Sequence, residues 1–347
     1  ADRDGTVEGG KLLNKKQSYI VRLISCGLIG ALTLSGCTGS RNIEDTHRIG
    51  ENEETEGQKE IENNRAGEQE PETETFTEEA VAEQEVAEPE IIEEDWSAYF
   101  DGMNGAAVIY DTDARLFHIY NRAVAETRRS PCSTFKIISS LIALEHGTID
   151  PGDSTRKWSG EVYWNENWNQ DIDFNEAFHD SCVWYFREVI DEVGMELMQE
   201  ELDRLSYGNC DISDWEGRLN TNNSNRVLTG FWIESSLTIS PKEQAEVMER
   251  IFGEDSFYSE TARNELKEVM MVDTQGEAGV SVYGKTGMGK AEGITMDAWF
   301  VGFSESAGKS IYFCVYLGRT DDKNVTSAAA KEIALRLVSD YFDISGM

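Results

Sequence analysis

The chain has 347 residues, with 66 Asp and Glu against 31 Lys and Arg, and its formal net charge at pH 7 is −35. A chain this acidic repels phosphate backbones, which argues against nucleic acid as a partner. The six cysteines show no C-x-x-C spacing, which argues against a metal site or a dithiol redox motif.

The first segment, residues 11–37, has the pattern of an export signal. A basic start is followed by an apolar run from about Leu23 to Leu34, which is too short for a comfortable membrane span. The run ends in the letters LSGC, and this resembles a bacterial lipobox, in which the cysteine becomes the lipidated first residue of the mature protein. We therefore expect residues 1–37 to hold an N-terminal extension and a lipoprotein signal peptide, with Cys37 anchoring the exported protein to the outer face of the bacterial cytoplasmic membrane. A plain signal peptide and an uncleaved anchor are the alternatives.

An acidic segment follows the signal. Residues 41–95 contain 21 Asp or Glu and 4 Lys or Arg, a net charge of −17, and aromatic residues are almost absent. Such a segment cannot bury enough apolar surface to offset the entropy of ordering it. We predict that residues 38–95 form a disordered, self-repelling linker that holds a domain away from the membrane. A specific acidic partner-binding segment is the alternative.

All eight tryptophans lie in the remaining part, residues 96–347, which is long enough for one large domain or two lobes. Residues 105–120 read as two strands joined by a turn, and residues 133–146 carry apolar positions at helical spacing. The middle of this part, from 150 to about 275, is predicted to be mostly helical, with amphipathic segments at 174–193, 195–206 and 241–252. Ser240, Pro241 and Glu243 form a typical start for the last of these.

Three more strands are predicted near the end, followed by an amphipathic helix at 325–343; the strands lie at 279–288, 297–304 and 310–317. This order indicates an α/β (α+β) fold, in which an antiparallel sheet is flanked by helices and a helical lobe is inserted. Sites in such folds tend to form in the cleft between the lobes.

Ser133 and Lys136, in the letters STFK, lie one turn apart on the same face of the predicted helix. Alone, this spacing fits either a nucleophile with its base or a helix cap beside a surface lysine. Three further motifs follow downstream: Ser181-Cys182-Val183, Tyr207-Gly208-Asn209 and Lys285-Thr286-Gly287.

These four motifs, in this order, resemble those of the penicillin-recognising serine enzymes, and within them the class D, oxacillinase-type β-lactamases. The resemblance covers roughly residues 96–347. It implies that the chain has this family's fold, binds penicillins and hydrolyses β-lactam antibiotics through an acyl-enzyme on Ser133, which would confer antibiotic resistance.

The resemblance also implies a role for each motif residue. The N–H groups of Ser133 and Met288 would form the oxyanion hole, and Ser181 would relay a proton to the leaving nitrogen. Lys285 would bind the substrate carboxylate and help organise the site. The remaining substrate-binding candidates are Tyr207, Asn209, Thr286, Gly287, which permits close backbone approach, and Arg319 in the letters YLGR. An exposed turn arginine is the alternative for Arg319.

Lys136 needs a special environment, because a lysine at its ordinary pKa is protonated at neutral pH and cannot act as a base. Burial among apolar neighbours such as Val183 and Trp232 would lower that pKa. In class D enzymes the freed amine reacts with carbon dioxide, or bicarbonate as its source, and the carbamate serves as general base for acylation and deacylation. The resemblance implies this co-reactant and no metal. The indole of Trp232, a donor-only group, would hold the carbamate; a core aromatic without a catalytic part is the alternative.

Three questions stay open. The sequence does not decide whether Cys132 and Cys182 pair. The letters DSCVWYF also resemble the segment of β-lactam sensor domains, which stay acylated; sensors tend to carry Asn where this chain has Val183, and a valine beside Lys136 favours a dry site and turnover. A peptidoglycan transpeptidase or carboxypeptidase is a further alternative, but those enzymes usually have S-x-N as the middle motif.

Overall fold

The computed structural model of the protein describes residues 88–219, 224–272 and 279–345. The predicted signal peptide, the predicted lipidation site Cys37 and the predicted linker as far as residue 87 lie outside the described residues.

Seven strands form a single sheet within the described residues, in the order β1-β3-β2-β7-β6-β5-β4. Neighbouring strands run antiparallel, except for the parallel pair of β1 and β3. The strands are β1 (Glu90–Glu93), β2 (Gly105–Asp111), β3 (Leu116–Tyr120), β4 (Met271–Val272), β5 (Val280–Ala291), β6 (Ile294–Ser306) and β7 (Lys309–Gly318).

Helices at the two ends of the domain and in its middle cover the sheet. They are α1 (Ser97–Phe100), α2 (Arg122–Ala125), α3 (Lys136–Glu145), α4 (Phe174–His179), α5 (Val183–Val193), α6 (Met195–Leu205), α7 (Pro241–Phe252), α8 (Glu260–Met270) and α9 (Ser327–Ser345). Short 3-10 turns lie at Cys132–Phe135, Pro151–Asp153, Glu166–Trp168 and Arg226–Leu228. Within the part of the chain described here, no helix is both long enough and apolar enough to cross a membrane.

Alternation along the strands separates two apolar cores. On β7, Tyr312, Cys314 and Tyr316 face the core that contains α3, α5 and α7. Phe313 and Val315 face the opposite side, where α1 and α9 pack. Because successive side chains of a strand point to opposite faces, one strand can serve both cores. The predicted sheet with helices on its faces and an inserted helical lobe is confirmed.

The helix boundaries predicted at Ser240 and Gly194 are found in the structure. Ser240 caps α7 with a reciprocal capping box to Glu243, and Pro241 occupies its first position. Gly194, with a φ of 82°, separates α5 from α6. This left-handed conformation favours glycine because it has no Cβ.

The linker prediction is wrong at its C-terminal end. Glu90–Glu93 form β1, which pairs in parallel with β3, so that Ile91 lies opposite Phe117. Ile91 is half-buried against the main core, and this apolar contact together with the backbone ladder orders a stretch that its charge alone predicts to be disordered. The folded domain therefore begins before residue 96.

Candidate functional site

Ser133 lies in the 3-10 turn Cys132–Phe135, which leads directly into α3. The backbone of this turn is held from the side, because the Cys132 N–H and the Ser130 hydroxyl both donate to the carbonyl of Trp232 at 3.0 Å. Cys132 has a φ of 50°, a left-handed conformation that costs a non-glycine residue on the order of 1–3 kcal/mol. These contacts hold the turn in that conformation, with Ser133 half-buried at its second position.

Lys136 points its amine at the nucleophile. Its Nζ donates to Ser133 Oγ at 3.2 Å, and the side chain is only 1% exposed. The ring of Phe186 lies 5.2 Å from the same nitrogen. Burial lowers the pKa of Lys136 from its ordinary 10.5 to about 8, which leaves about a tenth of the amine neutral at pH 7. The pair has the geometry of a nucleophile and a proton acceptor.

A second hydroxyl–amine pair stands opposite the first. Ser181 lies between α4 and α5 with a φ of 53°, and Lys285 of β5 donates to its hydroxyl and, at 3.2 Å, to the carbonyl of Thr286. Lys285 is buried, and burial, with a smaller contribution from the charge of Lys136, holds its pKa well below the usual range. Because its pKa is lowered, protonated Lys285 loses its proton more readily than an ordinary lysine, and it can exchange that proton with the Ser181 hydroxyl.

Strand β5 passes directly against the nucleophile's turn at Gly287. A Cβ added there would lie 2.8 Å from Thr134 Cγ2 and 3.0 Å from the carbonyl oxygen of Pro131. No side chain fits that space without moving the strand or the turn. Glycine thus permits the close approach of β5, whose next residue, Met288, reaches the same opening as Ser133.

A cavity of about 430 Å³ opens above these groups. Six of the predicted site residues line it: Ser133, Ser181, Val183, Thr286, Gly287 and Met288. Its wall also contains residues that sequence reasoning missed, chiefly Trp164, Trp168, Asp180, Glu234 and Lys290. The density of aromatic residues between 158 and 168 was a usable signal for the two tryptophans, whereas nothing local marks Glu234 or Lys290.

The Y-G-N motif does not reach the cavity wall. Tyr207 is fully buried, with its ring edge-on to Phe135, and burial raises its pKa. Asn209 donates its amide to the Ser236 carbonyl at 2.8 Å and accepts from the Thr238 N–H at 2.9 Å. This motif braces the segment behind the nucleophile, and its placement counts against direct substrate contact by Tyr207 or Asn209.

Arg319 and Trp232 also lie off the cavity wall. Arg319 is half exposed beside a separate cavity, with its Nε 3.6 Å from an oxygen of Asp321. Trp232 is buried and stacks on Phe135 at 6.0 Å between ring centroids. The structure therefore brings together the S-T-F-K, S-x-V and K-T-G residues. Trp232 packs behind them on Phe135, and Arg319 lies at a separate cavity.

The two cysteines near the site are not joined. Cys132 and Cys182 are both free and buried, and burial raises the pKa of each thiol to about 12. Both are therefore protonated at neutral pH and behave as small apolar side chains.

Comparison with known proteins gives consistent matches. The sequence profile of the penicillin binding protein transpeptidase domain matches residues 101–339. The chain is 30% identical over 247 residues to the regulatory protein BlaR1 of Bacillus licheniformis, a match that covers 71% of this chain but only 38% of BlaR1. It is 31% identical over 243 residues to the probable β-lactamase YbxI of Bacillus subtilis strain 168, which covers 70% of this chain and 82% of YbxI.

Two solved structures resemble the fold at comparable levels. The C-terminal domain of the Bacillus licheniformis BlaR penicillin receptor matches with a TM-score of 0.63 and 28% identity, over 74% of this chain and 98% of that domain. A class D β-lactamase from Bacillus subtilis matches with a TM-score of 0.59 and 28% identity, over 71% of this chain and 94% of the enzyme.

Proposed function

Because the chain belongs to the penicillin binding protein transpeptidase-domain family, we propose that it is a class D serine β-lactamase that hydrolyses β-lactam antibiotics through an acyl-enzyme on Ser133. The observation that carries this proposal is the buried Lys136 amine, 3.2 Å from Ser133 Oγ, with a pKa lowered to about 8. A buried, partly neutral amine beside a hydroxyl at the base of a cavity is what activation of a serine at neutral pH requires.

The residues around the cavity can carry out acylation. While Lys136 is not carboxylated, its neutral amine accepts the Ser133 proton as Oγ attacks the strained lactam carbonyl. Backbone N–H groups of Ser133 and of Met288 on β5 supply the developing oxyanion with donors. The C–N bond then breaks, and Ser181 donates its proton to the leaving nitrogen. The ammonium form of Lys285, which donates to the Ser181 hydroxyl and gives up its proton readily because burial lowers its pKa, replaces that proton and becomes a neutral amine.

Carboxylation of Lys136 fits its surroundings. The amine is buried beside Ser133 and the ring of Phe186, so its neutral form, which is the one that reacts with carbon dioxide, is accessible at physiological pH. The carbamate, when formed, supplies a general base for acylation and for deacylation by water. Trp232, whose indole is donor-only, is the proposed partner of that anion, and Val183 keeps the approach from α5 apolar.

A β-lactam sensor domain is the second candidate, because the similarity to BlaR1 and to its receptor domain is as strong as the similarity to the β-lactamases. The two candidates share acylation of Ser133 and differ only in deacylation. Val183, which lines the cavity at the start of α5, favours the hydrolase because an apolar side chain there helps to keep a carbamate beside Lys136.

The location of the protein is proposed from the sequence alone. We propose export and lipid anchoring at Cys37 on the outer face of the cytoplasmic membrane, where the domain meets incoming antibiotics. Partition of the full chain into a detergent phase, compared with Cys37→Ala, tests the anchor: equal partition of the two proteins would contradict it.

Steady-state hydrolysis of nitrocefin by the full chain tests the function. The wild type should convert many equivalents of nitrocefin per protein molecule, and Ser133→Ala should convert none. Arg319→Gln serves as a control variant that keeps Ser133. Conversion that stops at one equivalent would favour the sensor, and hydrolysis retained by Ser133→Ala would remove Ser133 as the nucleophile.

A further inference from the structure

We propose that Arg187 is a positioning residue for this site: it fixes Trp232, and through Trp232 it holds the turn of Ser133 and the pocket of Lys136. The inference rests on the proposed function, because its consequence is a change in the carboxylation of Lys136.

Arg187 is a charged side chain in an unusual place. It lies on α5 with its side chain only 7% exposed, and Asp191, one turn further along, accepts from two of its guanidinium nitrogens. Its Nη1 donates to the Trp215 carbonyl at 2.8 Å, and the Trp215 indole donates to Asp191 at 3.2 Å. All three guanidinium nitrogens are therefore hydrogen-bonded, two to Asp191 and one to the Trp215 carbonyl.

The same guanidinium stands close to two indole rings. Its Cζ lies 5.5 Å from the ring centroid of Trp215 and 5.7 Å from that of Trp232. Burying a charge is costly, and an apolar residue of similar size would fill the space more cheaply. A cation held over the faces of two indoles is attracted by both rings, and it fixes where those rings lie.

Trp232 transmits this position to the nucleophile. Its carbonyl accepts from the N–H of Cys132, which immediately precedes Ser133, and its ring stacks on Phe135 within the same turn. A displacement of Trp232 therefore moves the backbone on both sides of Ser133.

The second connection runs along α5. Phe186, which precedes Arg187, places its ring 5.2 Å from Lys136 Nζ. In addition, a cation on the face of an indole withdraws electron density from the ring and makes its N–H a stronger donor to an anion. Arg187 thus acts on Lys136 in two ways, through the position of Phe186 on α5 and through the donor strength of Trp232 towards the proposed carbamate.

The experiment compares Arg187→Met with wild type during titration with ¹³C-labelled bicarbonate. The ¹³C NMR signal of the Lys136 carbamate reports its occupancy directly, and nitrocefin hydrolysis reports it independently. In Arg187→Met the half-saturating bicarbonate concentration should rise about tenfold in both measurements. Arg187→Lys keeps the positive charge but lacks the planar guanidinium, so its half-saturating bicarbonate concentration should lie between those of wild type and Arg187→Met.

Arg156→Met is a matched control. Arg156 also packs on an aromatic ring of α5, 5.2 Å from Tyr185, and its ion pairs are with Glu188 and Glu192. It should titrate like the wild type. Asp191→Asn, which keeps Arg187 and weakens its anchor, should lie between wild type and Arg187→Met, and it tests the inference if Arg187→Met does not fold.

The outcomes separate this inference from the function on which it rests. Equal bicarbonate titrations of wild type, Arg187→Met and Asp191→Asn would overturn the positioning role and leave the β-lactamase proposal intact. A wild type without any carbamate signal would overturn both the carboxylation of Lys136 and this inference. Loss of hydrolysis in Arg187→Met with an unchanged carbamate titration would also refute it.

Discussion

Replacing Lys136 with methionine should make the protein more stable at neutral pH while abolishing its turnover. A lysine with a pKa of about 8 in the folded state and 10.5 when unfolded destabilises the fold wherever its protonated form dominates. The difference in pKa corresponds to about 3 kcal/mol at pH 7. Methionine is of similar length, so little cavity is created, but the contact with Ser133 is lost at a cost of about 1 kcal/mol. We therefore expect a net gain of about 2 kcal/mol at pH 7.

The size of this stability gain depends on pH. The penalty of Lys136 is complete at pH values below its folded pKa of about 8 and disappears as the pH rises towards 10.5. The stability advantage of Lys136→Met should therefore shrink by about 1 kcal/mol between pH 7 and pH 9.

Urea unfolding at both pH values, in buffers freed of carbon dioxide, measures this stability advantage. Lys157→Met is the control, because Lys157 is 83% exposed. The effect of this substitution on the free energy of unfolding should not fall between pH 7 and pH 9 as that of Lys136→Met does. An advantage that is the same at pH 7 and pH 9, or a Lys136→Met variant that is less stable than wild type at pH 7, would show that Lys136 is not a destabilised buried amine.

Three further outcomes are expected. Without bicarbonate, kcat/KM should rise through about pH 8 as the Lys136 amine becomes neutral. Added bicarbonate should raise the rate most at low pH, and a rate that does not respond to bicarbonate from pH 5 to 8 would contradict carboxylation. Gly287→Ala should lower kcat/KM by about a hundredfold, because its Cβ would meet Thr134 and Pro131 and push β5 from Ser133; Gly152→Ala, at a surface turn, is the control, and equal rates would disprove the close approach. Arg319→Gln should leave the KM for benzylpenicillin within about twofold, because an exposed arginine off the cavity wall contributes little; a rise of tenfold or more would place Arg319 in the substrate's path.

Local patterns in the sequence predict much of this site, because several of its residues lie only a few positions apart or on one regular strand. Ser133 and Lys136 share one helical turn, so their spacing places them on the same face of the helix. Lys285 and Gly287 lie on a strand whose alternation is readable from the letters. The contact of Ser181 with Lys285 depends on how α4 and the residues that follow it pack against β5, which no local pattern contains; only the resemblance to a family predicts it.

The residues that were misplaced or missed depend on long-range packing. Tyr207 and Asn209 belong to a recognisable motif, but the contacts of Asn209 with residues 236–238 turn them into a brace behind the nucleophile. Trp164 remains 78% exposed at the cavity mouth, where burial patterns give no signal. The residues of β1 read as part of the linker because acidic residues dominate them, and their pairing partner β3 lies more than 20 residues further along the chain.

The lifetime of the benzylpenicillin adduct on Ser133 tests the central proposal most directly. Intact-mass measurement at intervals after mixing follows the adduct on the full chain in bicarbonate buffer, with Ser133→Ala as the unreactive reference. The wild type should form an adduct that disappears within seconds once free penicillin is consumed, and Ser133→Ala should form none. An adduct that persists for hours would contradict the hydrolase and identify a domain that stays acylated.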